Sequence, residues 1–345
     1  MSEAQRLHEM LATAGELTIV CHNNPDPDCL ASALALGRIA VDAGIDEHRI
    51  LYSGIISHQQ NLAFVNLLDI DLEPYDPEKV SDLSEGSLLA FVDHSVPGAN
   101  NEVPEGTPVD IVIDHHPAES VDARFVDHRE SAGATATILT EYVAALDVEL
   151  DTTLATALLF AIRRETLGFL RGVTADEYRA AATLHDAADP ELLRRLSNPS
   201  VSGATVDAIA DAIENRTVFG STLVSHVGRT NERDALPQAA DYLATLEGVE
   251  TTVIFGVVED TIQLSARSTD ARIHIGDVLH DTFGDVGSAG GHHEMAGGEI
   301  PLGIFADATA TDDRLMALVE RVVTGRLVRG LNLSEDATDG DTDEE

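Results

Sequence analysis

The sequence has one lysine, Lys79, no tryptophan and two cysteines, and aromatic residues make up only 4% of its 345 positions. Each shortage excludes something. Cys21 and Cys29 allow one bridge at most, so a disulfide-framed secreted scaffold is out and a reducing, cytoplasmic setting is expected. Both cysteines read as small buried hydrophobes. So few aromatics leave no stripe of the kind that stacks a long single strand. No apolar run approaches the ~18 residues of a membrane span, and the opening MSEAQRLHEMLATAG is an acid-containing amphipathic helix, not a signal peptide. Basic residues are scarce as well: 21 stand against 61 acids, for a net charge of −40. The acid is spread along the chain, which points to a solvated surface adapted to high salt and to a halophilic source. In molar salt the Debye length falls to about 3 Å, so this charge does not by itself exclude a phosphate-bearing partner.

What is present is a patterned α/β chain. Its 43% apolar content over 345 residues is enough for two cores. Three short apolar runs end alike: LTIVCHNN (17–24) in His22, SLLAFVDHS (87–95) in Asp93 and His94, and VDIVIDHHP (109–117) in Asp114, His115 and His116. Helical patterns at 29–43, 57–68, 132–145, 151–163, 175–187 and 189–196 surround them. Buried strands alternating with helices predict a doubly wound, mostly parallel sheet over 1–196, with ligands beyond the carboxyl ends of the strands. SNPSVSGAT opens a linker and connecting helix over 197–217. A smaller α/β C-terminal domain is expected over 218–330, with strands near 219–227, 251–258 and 261–267, a helix near 237–246 and a glycine-rich turn at 287–299. Residues 331–345 form an acidic tail without large apolar residues, expected to be disordered. The whole is read as bilobed, with a cleft between the lobes.

The strand ends carry the chemistry. His22-x3-Asp26-x-Asp28 offers hard carboxylates and an imidazole suited to Mn²⁺ or Mg²⁺, or else is a plain turn in which Asp28 caps the following helix. Asp93 and the Asp114-His115-His116 triplet tip that balance, because acids gathered so closely repel unless cations neutralise them. A two-metal site that activates water for attack on phosphorus is the economical reading.

These motifs, in this order, resemble the DHH phosphoesterase superfamily, in the branch that carries a glycine-rich DHH-associated C-terminal domain. That branch includes oligoribonucleases, phosphatases of 3′-phosphoadenosine 5′-phosphate, cyclic dinucleotide phosphodiesterases and single-strand exonucleases. The resemblance spans about 15–305. It implies that His22 and Asp26 hold one cation, that Asp28 and His115 hold the other, and that Asp93 bridges them. It implies that His116 binds the phosphate or protonates the leaving oxygen, with Asp114 supporting it. The family's Asp-Thr-x-x-Phe motif appears here with Glu165 before Thr166 and Phe169, so a longer carboxylate takes the ligand position. Arg163 and Arg164 are either phosphate contacts or solvated helix-end cations. In AGGHHEMAGG, the residues Gly290, Gly291, His292, Ala296 and Gly297 match the family's substrate-gripping turn, and Arg267 matches its substrate-facing arginine.

The expectation is therefore a phosphoric ester hydrolase with two divalent cations, Mn²⁺ or Mg²⁺, acting on a short oligonucleotide or small nucleotide. No membrane partner is expected, and a homodimer is an allowed assembly. A single-strand exonuclease is the nearest rival. A type II pyrophosphatase shares the N-terminal motifs but lacks the glycine-histidine turn. A nucleotide sensor with a decayed site rests on Glu165 alone.

Overall fold

The computed structural model describes residues 2–54, 56, 59–81, 83–84, 86–118, 120–198, 201–291, 293–306 and 313–333. The chain divides into two compact units, Met1–Pro199 and Ser200–Glu345. No helix among the described residues is long and apolar enough to cross a membrane.

The first unit runs α1 (Glu3–Leu11), β1 (Glu16–Asn23), α2 (Pro27–Asp42), β2 (Glu47–Ser53), α3 (Gln59–Leu68), β3 (Glu73–Pro74), α4 (Pro77–Ser81), β4 (Ser87–Val92), β5 (Ile111–Asp114), β6 (Phe125–His128), α5 (Thr135–Leu146), α6 (Thr152–Glu165), α7 (Ala175–His185) and α8 (Pro190–Ser197). Its six strands lie in the order β3-β2-β1-β4-β5-β6, all parallel. The three apolar runs that end in acids and imidazoles are thus neighbours, β1, β4 and β5, at the centre of the sheet. Alternation along β1 sends Leu17, Ile19 and Cys21 to one face, where α2, α5 and α6 build the main core. Val20 goes to the other face, with Leu51, Leu89, Phe91 and Val112. The chain leaves β1 toward β2 on one side and later returns to place β4 on the other. Their carboxyl ends therefore flank the point where strand order reverses, and loops splay apart there to leave a crevice. Strand β2 and strand β6 were not foreseen, because their apolar stretches, Ile50–Tyr52 and Phe125–Val126, are shorter than the central runs.

The second unit runs α9 (Gly203–Glu214), β7 (Thr217–Phe219), β8 (Thr222–Thr230), α10 (Ala235–Leu243), β9 (Thr251–Val258), β10 (Thr261–Ser268), α11 (Ile275–Phe283), β11 (Ser288–Gly291), β12 (Met295–Pro301), a short 3₁₀ turn (Gly303–Phe305) and α12 (Asp313–Gly330). Its mixed sheet has the order β11-β12-β10-β9-β8-β7, with only β8 and β9 parallel. Helix α9, expected as a connector, packs Ala208 and Ala212 with α10 into one face of this sheet. Helices α11 and α12 cover the other face. The expected glycine-rich turn is mostly strand: β11 and β12 form an antiparallel pair with Gly290 opposite Gly297.

Two of the glycines there serve packing. A Cβ on Gly276, in α11, would lie 2.3 Å from the Gly291 carbonyl oxygen. A Cβ on Gly291, whose φ is +154°, would lie 2.4 Å from the Met295 carbonyl oxygen. Backbone cannot yield to either. Gly276→Ala is expected to lift α11 off β11 at a cost of about 3 kcal/mol. Hydrogen exchange would then show lost protection in the second sheet while β1, β4 and β5 stay protected; unchanged protection throughout would contradict this packing role.

Candidate metal centre

Three loops deliver the site. After β1, Asp26 caps α2, accepting from the Asp28 and Cys29 amides at 2.9 and 3.1 Å. Capping thus belongs to Asp26 and not, as the plain-turn reading had it, to Asp28. Asp28 instead turns inward and is fully buried, accepting from the Thr135 and Ala136 amides at 2.8 Å each, at the start of α5. After β4, Asp93 sits at φ +66°, its amide bonded to the Ile113 carbonyl and its Oδ1 accepting from the Thr135 hydroxyl at 2.8 Å. After β5, His115 Nδ1 faces the Ala132 carbonyl at 3.0 Å, and His116 Nδ1 faces Asp114 Oδ1 at 3.0 Å. Ser95 donates to the other oxygen of Asp114.

The two inner histidines decide what this cluster is for. His22 Nδ1 donates to the Asn23 carbonyl at 2.9 Å, as His115 Nδ1 does to Ala132, so each ring keeps its Nε2 lone pair free. Both lone pairs point at carboxylates. His22 Nε2 lies 3.6 Å from Asp93 Oδ2, and His115 Nε2 lies 3.6 Å from Asp93 Oδ1 and 3.7 Å from Asp28 Oδ2. These gaps are too long for hydrogen bonds, and lone pair against carboxylate is repulsive. His115 Nε2 is buried without a hydrogen-bond partner among the described residues. A cation in each gap satisfies every one of these atoms, and a ligating histidine normally donates its other N–H to a carbonyl in this way. The donor set fits divalent cations, with one oxygen of Asp93 facing each histidine.

Residues 16–162 match the family model described as the DHH family, N-terminal domain, and residues 219–323 match the DHHA1 domain. The chain belongs to the DHH family. The resemblance drawn from His22, Asp93 and the Asp114–His116 triplet holds. The chain is 38% identical over 322 residues to MJ1633 of Methanocaldococcus jannaschii, a protein described as uncharacterized, covering 93% of this chain and 65% of MJ1633. It is 25% identical over 327 residues to the cyclic-di-AMP phosphodiesterase PdeA of Listeria monocytogenes, covering 88% of this chain and 48% of PdeA. The chain thus spans roughly half to two thirds of these relatives' lengths. An exopolyphosphatase-related protein from Bacteroides fragilis shares the fold, with a TM-score of 0.71 at 15% identity over 95% of this chain and 97% of that one.

In this DHH protein the electrostatics match the geometry. Burial pushes Asp28 up to about 6, helped by the negative charges of Asp26 and Glu165 and opposed by His115. Burial and the charge of Asp28 hold Asp93 well above the usual carboxylate range. His116 is raised to about 9 by its bond to Asp114. Burial works against ionising Asp114, but bonds from His116 and Ser95 outweigh it and bring Asp114 to about 2. His94, which ends the same apolar run as Asp93, is buried against Phe91 at 4.4 Å, and burial lowers it to about 4.

The remaining expected site residues are placed as follows. Glu165 ends α6, with its carboxylate 3.5 Å from Arg171 Nη2 and its side chain 26% exposed. Arg163 lines a cavity of about 760 Å³ with Phe169, His185 and Arg194; none of the acids and imidazoles of the metal centre lines it. In the second unit Arg267 is held by Asp241 at 2.6 Å and by Ser265 at 3.2 Å. Gly290 and Gly291 lie in β11 and Gly297 in β12; packing requires glycine at Gly291, whereas a Cβ on Gly290 would meet nothing within 4 Å. His292 lies outside the described residues.

Proposed function

We propose that the chain is a metal-dependent phosphoesterase that hydrolyses short oligonucleotides or small nucleotides, cyclic dinucleotides included. The observation that carries this reading is Asp93, whose two oxygens each face a different histidine whose lone pair is free. Two divalent cations, Mn²⁺ by the hard oxygen and imidazole donors or Mg²⁺ in its place, would supply Lewis acidity and a hydroxide at neutral pH. His22 and Asp26 are assigned to one, Asp28, His115 and Glu165 to the other, and Asp93 to both. The PdeA relative supports a small nucleotide substrate.

The chain's own residues do the positioning. The Thr135 hydroxyl fixes Asp93, and the Thr135 and Ala136 amides fix both oxygens of Asp28, so the acids are set before substrate arrives. Asp114, clamped by Ser95, orients the His116 ring, whose side chain is 52% exposed; its free Nε2 is placed to hold a phosphate oxygen or to protonate the leaving one. In the second unit we assign Arg267 to a substrate phosphate, exchanging the Asp241 carboxylate for it, and we assign the glycine-rich hairpin with His292 to the substrate.

The test is a substrate panel in high salt with Mn²⁺: a dinucleotide, a pentamer, a long single strand, 3′-phosphoadenosine 5′-phosphate, a cyclic dinucleotide and pyrophosphate. Dimer to pentamer or cyclic dinucleotide is expected to turn over faster than the long strand, and chelation to abolish the rate. Processive digestion of the long strand would favour the exonuclease, and full activity after chelation would remove the metal reading.

Glu165 gives a sharper check. Glu165→Asp draws its carboxylate back by about 1.5 Å, one C–C bond, in a shell where oxygen ligands sit at ~2.0–2.2 Å. Calorimetric Mn²⁺ titration is expected to show weaker binding at the Asp28–His115 position, and weaker still for Glu165→Ala. A faster Glu165→Asp protein would instead indicate a decayed site regaining the family residue.

A further inference from the structure

The two halves of the metal centre are chemically unlike. On one side, Asp93, His115 and His116 bring oxygen and nitrogen donor atoms within 4.8 Å of one another. On the other, the atoms gathered within that distance are a nitrogen of His22, an oxygen of Asp93 and the sulfur of Cys29. We propose that Cys29 is a sulfur donor to the cation at His22 and Asp93. That position then favours thiophilic metals such as Zn²⁺, Co²⁺ or Cd²⁺, while the Asp28–His115 position stays hard. The inference rests on the metal centre proposed above and adds a ligand and a selectivity to it.

Distance allows it. Two donors at ~2.1–2.3 Å from one tetrahedral ion lie about 3.4–3.7 Å apart, and the His22 Nε2 to Asp93 Oδ2 gap is already 3.6 Å. The sulfur needs a shift of about an ångström or less to join them, on the scale of the same ligand distances. The sulfur makes a 3.4 Å contact to the Val92 carbonyl and a side-chain hydrogen bond with Cys21, and a cation would have to displace both. The Cys29 backbone is firmly placed, because its amide is one of the two that Asp26 caps. The same cap engages one oxygen of Asp26, the carboxylate already assigned to this cation. Asp26 Oδ1 accepts two amides and lies 3.9 Å from His22 Nε2, on a side chain that is 40% exposed. Soft thiolate beside imidazole selects Zn²⁺ or Co²⁺ over Mn²⁺ or Mg²⁺, and the hard carboxylate set across Asp93 does the reverse. On coordination the S–H bond breaks, the sulfur pair goes to the metal, and the proton leaves to solvent.

Cobalt reads this directly. The full chain, reduced and stripped by chelation, is titrated with Co²⁺ and followed by calorimetry and near-ultraviolet absorption. A thiolate-to-cobalt charge-transfer band is expected in the wild type and in Cys21→Ser, and is expected to vanish in Cys29→Ser and Cys29→Ala while cobalt still binds. In those two variants Cd²⁺ affinity is expected to fall about tenfold or more and Mn²⁺ affinity less than about threefold. Cobalt bound to the wild type without the band, or a band that survives loss of Cys29, overturns the sulfur ligand and leaves the metal centre standing. No binding of either Co²⁺ or Mn²⁺ to the wild type overturns both. If the Cys29 variants fail to fold, the band in Cys21→Ser, where Cys29 is the one thiol left in the sequence, decides.

Discussion

Asp93→Asn is expected to abolish turnover and, in the same protein stripped of metal, to raise the melting temperature. The loss of rate follows from position. Among the described residues Asp93 is the one carboxylate with an oxygen toward each of His22 and His115, so its replacement would remove an anionic donor from both proposed cation positions at once. A fall of a thousandfold or more, on the order of losing a preorganised electrostatic group and then some, is the expected size. The gain in stability follows from burial. Asp93 and Asp28 are both almost wholly buried, and the charge of Asp28 makes ionising Asp93 harder. Without cations, the folded chain must either desolvate these charges or take up protons that the unfolded chain would not hold at neutral pH. An asparagine at 93 still accepts from the Thr135 hydroxyl and carries no charge. Each kcal/mol relieved is worth about 2–4 °C for a unit of this size. Wild type and variant should therefore cross: the variant melts higher in chelator, and the wild type melts higher in saturating Mn²⁺, which binds the folded state alone. A variant less stable than wild type in chelator would mean that Asp93 is held by contacts other than those described.

The sign with pH follows from the same burial. Asp28 at about 6 lies above its ordinary 3.8, so the folded, metal-free chain binds a proton more readily than the unfolded one between those values. Its contribution to stability therefore falls as pH rises through that window and is regained on acidification.

Much of this was legible because the central strands are buried on both faces. Such strands read as unbroken apolar runs, and the polar residues that interrupt them at His22, Asp93 and Asp114 mark both the strand ends and the site. Edge strands such as β6 (FVDH) alternate, face solvent on one side and leave little signal. Helices α11 and α12 were likewise not foreseen, although their apolar faces close the second core. Residues 287–299 were read as a turn because clustered glycines signal one; here most of them form the β11–β12 pair, in which the close approach of Gly276 requires glycine at 291. Cys29 was assigned to the core from its residue type, and it does lie there. Its sulfur is also close to His22 and Asp93, a proximity between α2 and the end of β4 that sequence spacing does not encode.

Glu177 shows the same limit at its largest scale and supplies the second test. Thr174-x-x-Glu177 is a readable capping box, and Glu177 Oε2 does accept from the Thr174 amide at 2.6 Å and hydroxyl at 2.8 Å. Its other oxygen accepts from the Gly133 amide at 2.8 Å, across 44 positions of sequence. That bond anchors the segment on which the metal centre leans: the Ala132 carbonyl orients His115, the Thr135 and Ala136 amides hold Asp28, and the Thr135 hydroxyl holds Asp93. Glu177 is fully buried and touches none of the proposed ligands, so it is a positioning residue. Glu177→Ala strands the buried Gly133 amide and removes two bonds from the exposed Thr174, at a cost of about 2 kcal/mol. It should also weaken Mn²⁺ at the Asp28–His115 position by about 10–100-fold, the range for a lost supporting bond. The position at His22, which takes its Nδ1 partner from Asn23 in its own strand, should change much less. Burial works against ionising Glu177, but bonds from Gly133 and Thr174 outweigh it and hold its carboxyl below the ordinary 4.5. A depressed folded-state value contributes stability above 4.5 that is lost as pH falls through that folded value. Glu177→Gln, which keeps one acceptor and no charge, should therefore be less stable than wild type at pH 7 and approach it in strong acid, where the wild-type residue is itself neutral. Calorimetric titration with Mn²⁺ and urea melts at the two pH values read both effects. A Glu177→Ala protein that binds Mn²⁺ at both positions as tightly as wild type would separate this carboxylate from the metal centre and leave it a helix cap.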